Sequence, residues 1–275
     1  MSLSQVKRWN DEHVTMASVN SRRYVTAPVT TVWTSPSAPR DVDRWAVAAE
    51  PDMVAWLADL DRAAARPGLH GLVLTQLECG EPVLVTGDPD GRMAGSPSRR
   101  WLQIVAPLQP STLDARGYPG WVPADHLGEE VSDPPQLATA ADGGADASSF
   151  LAAARTHLGV AYLWGGRCDL GLDCSGLVHV SLRRLGVVFP RDADDQYHAC
   201  EHLPAAEARP GDLFFFAHQG KPPHHVGIVT GPYRMLHAPE TGSVIVEEDL
   251  NPSRRRTLIG AGRLPMLLSP TASAR

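Results

Sequence analysis

The stretch Asp173-Cys174-Ser175-Gly176 constrains this chain more than any other, because it sets a thiol at the first turn of a helix. Gly165 and Gly166, in Tyr162-Leu163-Trp164-Gly165-Gly166, end the preceding pattern, and Asp173 is a capping residue for the next. From Cys174 onward Leu177, Val178, Val180, Leu182 and Leu185 recur at roughly helical spacing and stop at Gly186. Free amide hydrogens and the positive dipole end at such a position favour a thiolate over a thiol. A small buried cysteine capping a core helix would read the same way, so the rest of the chain has to decide.

Ahead of that helix the chain reads as short strands and turns. Val25, Thr26, Val29, Thr30, Thr31 and Val32 form a β-branched run broken by Pro28, and strands follow at 71–77, 82–86, 101–105 and 118–123. Between them Met53, Val54, Trp56, Leu57 and Leu60 share one face of a helix over 51–65, stopped by Arg66-Pro67-Gly68. This spacing predicts a small barrel with one inserted helix. Residues 1–20 are polar and aperiodic, a loosely held tail, and 131–147, rich in Pro, Ala, Gly and Asp, read as a linker. Beyond it come a helix over 150–158 capped by Ser148 or Ser149, the Cys174 helix, and a polar helix running through Gln196 to Cys200. Strands at 213–216, 225–230, 234–237 and 243–246 complete the series. The plan is α+β, with domains at 21–130 and 148–275.

The length of 275 residues suits about two domains, and a formal net charge of −6 argues against nucleic acid or an anionic membrane as partner. No apolar stretch approaches membrane-spanning length, and Lys7, Arg8, Asp11, Glu12 and His13 interrupt any signal-like run. A cytoplasmic protein is the expectation, or a secreted one whose leader was trimmed. The four cysteines lack disulfide-framework density. His198, Cys200 and His202 imitate a zinc motif, but no second ligand pair sits at zinc-site spacing, so they read as a polar helix face. No metal, cofactor or obligate protein partner is expected.

A thiol nucleophile needs a base within hydrogen-bond reach and a group that orients the base. His225 opens one strand and His237 ends the next, and antiparallel pairing brings such ends together.

At this point the motifs converge. Trp164-Gly165-Gly166, Asp173-Cys174-Ser175-Gly176, Pro190-Arg191-Asp192, Pro210-Gly211-Asp212-Leu213, His225-Val226-Gly227-Ile228 and Leu236-His237, in that order and spacing, resemble the NlpC-type cysteine peptidases. The N-terminal pieces Gly80-Glu81-Pro82-Val83, Trp101-Leu102-Gln103-Ile104 and Gly117-Tyr118-Pro119-Gly120-Trp121-Val122 resemble a bacterial SH3-like domain. The resemblance implies a papain-like peptidase domain behind an SH3-like barrel. It makes Cys174 the nucleophile, His225 the general base and His237 the third member. It sets Asp173, Ser175, His224, Arg191 and Asp192 in the substrate groove.

The pairing of domains is similar to enzymes that cleave the bond from γ-D-glutamate to a diamino acid in peptidoglycan stem peptides. In that arrangement Tyr118 meets the free amine of a terminal L-alanine, with Glu81 or Glu78 as its carboxylate partner. The alternatives are a secreted hydrolase acting on intact wall and an inert wall-binding protein. The intact Cys174, His225 and His237 set argues against inertness, and a single SH3-like unit argues against a multivalent wall binder.

Overall fold

A computed structural model of the chain describes residues 21–88, 100–131 and 145–267. The tail expected over 1–20 and residues 132–144 of the expected linker lie outside them. Strands β1 (Arg22–Tyr24), β2 (Val29–Trp33), β3 (Val73–Glu78), β4 (Pro82–Gly87), β5 (Trp101–Ala106) and β6 (Tyr118–Pro123) form an antiparallel sheet in the order β1-β4-β5-β6-β2-β3. Pro28 cannot donate to a ladder, and it splits the first run in two. β1 pairs with β4, whereas β2 pairs with β3 and β6.

The sheet curls until Gly80 N donates to Val25 O at 2.8 Å and Val25 N to Glu81 O at 2.9 Å. Even so, β1 and β3 do not pair among the described residues, so the small barrel expected here is an open, curled sheet. The second domain occupies the β3 edge instead. The Trp164 indole N–H donates to Val73 O (3.1 Å) and Arg167 Nη1 to Gln76 O (2.7 Å). An edge strand's spare backbone groups need such partners once buried.

The inserted helix α1 (Met53–Arg62) starts where Asp52 accepts from Ala55 N at 2.9 Å. Trp56 is fully buried against Trp33, and its indole donates to Asp43 at 2.8 Å. Leu163, from the turn ahead of Cys174, packs into this same core. The insertion therefore seats a segment of the other domain.

That domain opens with α2 (Ala147–Arg155). Asp146, not Ser148 or Ser149, caps it, accepting from Ser149 N at 2.7 Å while the Ser149 hydroxyl reaches back. A ribbon of β7 (Arg167–Cys168) and β8 (Gly171–Leu172) precedes α3 (Cys174–Arg183) and α4 (Ala193–His198). Then β9 (Glu201–Leu203), β10 (Leu213–Phe216), β11 (His225–Gly231), β12 (Arg234–His237), β13 (Val246–Asp249) and β14 (Leu258–Arg263), with α5 (Pro252–Thr257) before β14, build a sheet in the order β13-β12-β11-β10-β14-β9. Leu177, Val178 and Leu182 of α3 are fully buried with Phe215, Val226, Ile228 and Leu236 of the sheet. At roughly 1.5–3 kcal/mol for each side chain taken out of water, this seam fixes α3 on the sheet.

Two local expectations change, and two strands are new. The strand expected over 243–246 runs over Val246–Asp249, because Ser243 and Ile245 bond back to Tyr162 and Gly159. Strands β9 and β14 carry no clear alternation in sequence. His198, Cys200 and His202 do not share a helix face: α4 ends at His198, and His202 in β9 stacks on Tyr197 with ring centroids 4.0 Å apart.

Candidate active site

Cys174 is the first residue of α3, as its neighbours predict. Asp173 fixes the start of that helix with both oxygens: Oδ1 accepts from Gly176 N at 2.7 Å and Oδ2 from Gly165 N at 2.8 Å. Two glycines make the approach possible. Gly165 has φ +75°, with Val73 2.6 Å from where its Cβ would lie, and a Cβ on Gly176 would meet Gly166 O at 2.3 Å. Arg191, almost fully buried, clamps the same carboxylate, with Nη2 to Oδ2 at 2.7 Å and Nη1 to Oδ1 at 3.0 Å.

The electrostatics of the thiol differ from the sequence expectation. Burial pushes the Cys174 thiol up to about 12, and the Asp173 carboxylate adds to the rise. The nearby backbone amide of Val226, the Arg191 guanidinium and the amide of Ser175 oppose the rise, but desolvation dominates. The resting sulfur is a thiol. Burial likewise holds His225 well below the ordinary histidine value, so the resting imidazole is neutral. A proton must therefore move for a thiolate to form.

His225 Nε2 and His237 Nδ1 lie 2.9 Å apart, across the neighbouring strands β11 and β12. His237 is fully buried and lowered to about 4, mainly by desolvation, and its Nε2 meets Glu248 Oε1 at 3.2 Å. A carboxylate can only accept, so the proton of neutral His237 sits on Nε2. Its Nδ1 then accepts from the Nε2–H of His225. That tautomer leaves the Nδ1 lone pair of His225 free. The row His225–His237–Glu248 thus orients an imidazole whose other nitrogen is ready to take a proton. Glu248 lies past the end of the strand that the sequence predicts over 243–246, in the stretch that β13 occupies. Val246 pairs with His237, and Glu248 follows two residues on, on the same face of the sheet.

Cys174 opens onto a groove of about 540 Å³ shared by both domains. His70, Val73, Leu74 and Tyr118 line it from the N-terminal side; Tyr162, Trp164, Asp173, Ser175, Asp192 and His224 line it from the other. The Tyr118 hydroxyl donates to Asp192 Oδ2 at 2.6 Å, joining the domains inside the groove. Asp192 and Asp194 line the groove, and with the buried Asp195 they hold carboxylate oxygens within 4.8 Å of one another. Burial raises Asp192 above the usual carboxylate range, while Arg191 opposes the rise.

Five of the seven expected substrate contacts (Tyr118, Asp173, Ser175, His224 and Asp192) line this groove. Two do not. The Arg191 guanidinium is committed to Asp173, Ser175 Oγ and Thr75, so it braces the helix start instead of facing a ligand. Glu81 is buried in a bidentate pair with Arg167 (3.0 and 3.1 Å), and together with Glu78 it borders a separate cavity of about 370 Å³. The carboxylate beside Tyr118 is Asp192.

A thiol at the start of a helix packed on an antiparallel sheet, whose strands carry the paired imidazoles of His225 and His237, defines the class: the chain is a cysteine peptidase. Residues 159–263, most of the C-terminal domain, match the NlpC/P60 family. A γ-D-glutamyl-L-lysine dipeptidyl-peptidase of Bacillus subtilis is 28% identical over 279 residues, spanning 80% of this chain and 91% of that protein. Peptidoglycan endopeptidase RipB of Mycobacterium tuberculosis is 34% identical over 157 residues, 50% of this chain and 64% of its own. The crystal structure of an NlpC/P60 family protein from Bacillus cereus superposes with a TM-score of 0.77 at 22% identity. That alignment covers 89% of this chain and 99% of the other, so both domains share its fold.

Proposed function

We propose that this peptidase cleaves the bond between γ-D-glutamate and a diamino acid in free peptidoglycan stem peptides whose N-terminal L-alanine amine is exposed. The observation that carries the proposal is the Tyr118–Asp192 pair in the groove that holds Cys174. An ammonium brings three donors and one charge, and a phenol oxygen with neighbouring carboxylates satisfies both demands. Similarity along four-fifths of the chain to a dipeptidyl-peptidase named for the γ-D-glutamyl-L-lysine bond points the same way. A cytoplasmic setting goes with this reading, since trimmed peptides are recycled there.

The chemistry follows from the resting protonation. With the substrate amine at Tyr118 and Asp192, the γ-glutamyl carbonyl meets the Cys174 sulfur. The free Nδ1 of His225 takes the thiol proton, and the thiolate attacks carbon as the carbonyl π pair moves to oxygen. Amide hydrogens at the start of α3 hold that oxyanion. His225 passes its proton to the departing diamino acid nitrogen, the C–N bond breaks, and a thioester remains. A water molecule, deprotonated by His225, then attacks the thioester and restores the thiol. His237 keeps the imidazole in the tautomer this requires, with Glu248 behind it.

The test is direct. Incubation with L-Ala-γ-D-Glu-diaminopimelate should release free diaminopimelate, and intact sacculi should yield little product. Cys174→Ala should abolish release while the protein stays folded. Efficient digestion of sacculi would favour a wall hydrolase.

A further inference from the structure

Beyond the residues that touch the groove, one buried chain of hydrogen bonds runs from the N-terminal sheet to the start of α3. Arg191 Nε donates to Thr75 Oγ1 at 2.9 Å. The Thr75 hydroxyl then donates its own proton to Gln109 Oε1 at 2.8 Å, and Gln109 Nε2 donates to Gln76 O at 2.9 Å. Thr75, Gln76, Gln109 and Arg191 are all at most 1% exposed. No solvent competes for these groups, so each partner is obligatory.

The geometry matters because of where the arginine points. Nη1 and Nη2 spend three bonds on Asp173 and Ser175, and Nε alone reaches the other domain. A planar guanidinium anchored at Nε has its rotation fixed, and with it the two oxygens of Asp173. Those oxygens hold Gly176 N and Gly165 N, the two sides of the Cys174 turn. The backbone agrees: Arg191 N donates to Pro110 O at 3.2 Å, and Thr112 N to Asp195 Oδ2 at 3.1 Å.

We infer that Thr75 is a positioning residue for the nucleophile: the N-terminal domain sets the Cys174 helix start through Thr75, Arg191 and Asp173, besides walling the groove. The inference builds on the proposed role of Cys174, but not on the identity of the substrate. Thr75→Val keeps the shape and removes both the acceptor and the donor. Arg191 would then lean less closely on Asp173, leaving more of that negative charge beside the sulfur and disfavouring the thiolate.

The experiment compares unaltered protein, Thr75→Val and Thr75→Ser in two assays. Alkylation of Cys174 by iodoacetamide across pH needs no substrate, and turnover of the free tripeptide reports kcat and KM separately. Thr75→Val should move the alkylation profile to higher pH and cut kcat roughly tenfold to a hundredfold, with KM changed less than about threefold. Thr75→Ser should restore both. A lower Tm with an unchanged alkylation profile and kcat would reduce Thr75 to a structural residue and overturn the inference. Should Thr75→Val fail to fold, Gln109→Met decides: it frees the threonine hydroxyl, and the same shift in smaller degree is expected, whereas an unchanged profile overturns the inference. Unaltered protein that alkylates at Cys174 yet ignores the tripeptide would sink the substrate assignment and leave Thr75 still to be judged by alkylation.

Discussion

Two buried arginine–carboxylate clamps sit at the domain interface, one within the C-terminal domain and one across the seam, and they do different work. Arg191 grips Asp173 at the start of α3, within the wall of the groove, while Arg167 grips Glu81 behind it. Both arginines are 1% exposed, and both reach strand β3, one at Thr75 and one at Gln76. The pairs resemble each other in burial and geometry, yet only the first is bonded to the turn carrying Cys174. Burial of a charged pair therefore says little about chemistry; what else the carboxylate holds says more.

The comparison breaks most sharply on substitution of each arginine. Arg191→Met should cost about 3–5 kcal/mol of stability by stranding the Asp173 charge, and should cut turnover at least about a hundredfold in whatever protein stays folded. Arg167→Met should cost a similar stability by stranding Glu81, but leave turnover per folded molecule within about threefold. Chemical denaturation alongside active-site titration separates the two. Equal loss of turnover in both would erase the distinction.

A smaller effect comes from acid. His179, His225 and His237 are buried, and their folded values lie below the ordinary histidine value of 6.5. Below that value the unfolded chain takes up protons that the folded protein refuses, so stability falls as pH drops from 6.5 toward 4. Each such group costs at most about 1.4 kcal/mol per pH unit across this window. Tm measured from pH 7.5 to 5 should decline steadily from near 6.5; a flat profile would mean these imidazoles titrate normally in the fold.

The local structure around Cys174 is legible in the sequence, and the domain interface is not. Asp173 before Cys174, with glycines at 165 and 176, is local information: a cap and two close approaches leave marks in adjacent residues. His225 and His237 could be paired because they sit at ends of consecutive strands. Nothing local, however, distinguishes Glu81 from Asp192 as the partner of Tyr118. Both are acids near motif positions, and only the docking of the domains spends one on Arg167 and leaves the other in the groove. The open sheet has the same origin, because the partner of the β3 edge is Trp164 and Arg167, some 90 residues away in sequence. The thiol's protonation has a related cause: the helix start is visible in the sequence, and the burial that opposes it is not.

The central claim is that the two domains form one site that reads a free amine through Tyr118 and Asp192 and cleaves with Cys174. The most direct measurement is kcat/KM for L-Ala-γ-D-Glu-diaminopimelate with its amine free and with it acetylated, in unaltered protein, Tyr118→Phe and Asp192→Asn. Acetylation should cut kcat/KM of the unaltered enzyme by roughly tenfold to a thousandfold, about 1.4 to 4 kcal/mol. Tyr118→Phe should shrink that ratio, and Asp192→Asn should shrink it further, because it removes the charge. If unaltered enzyme cleaves the acetylated and free peptides at the same rate, the groove does not read the amine and the account fails.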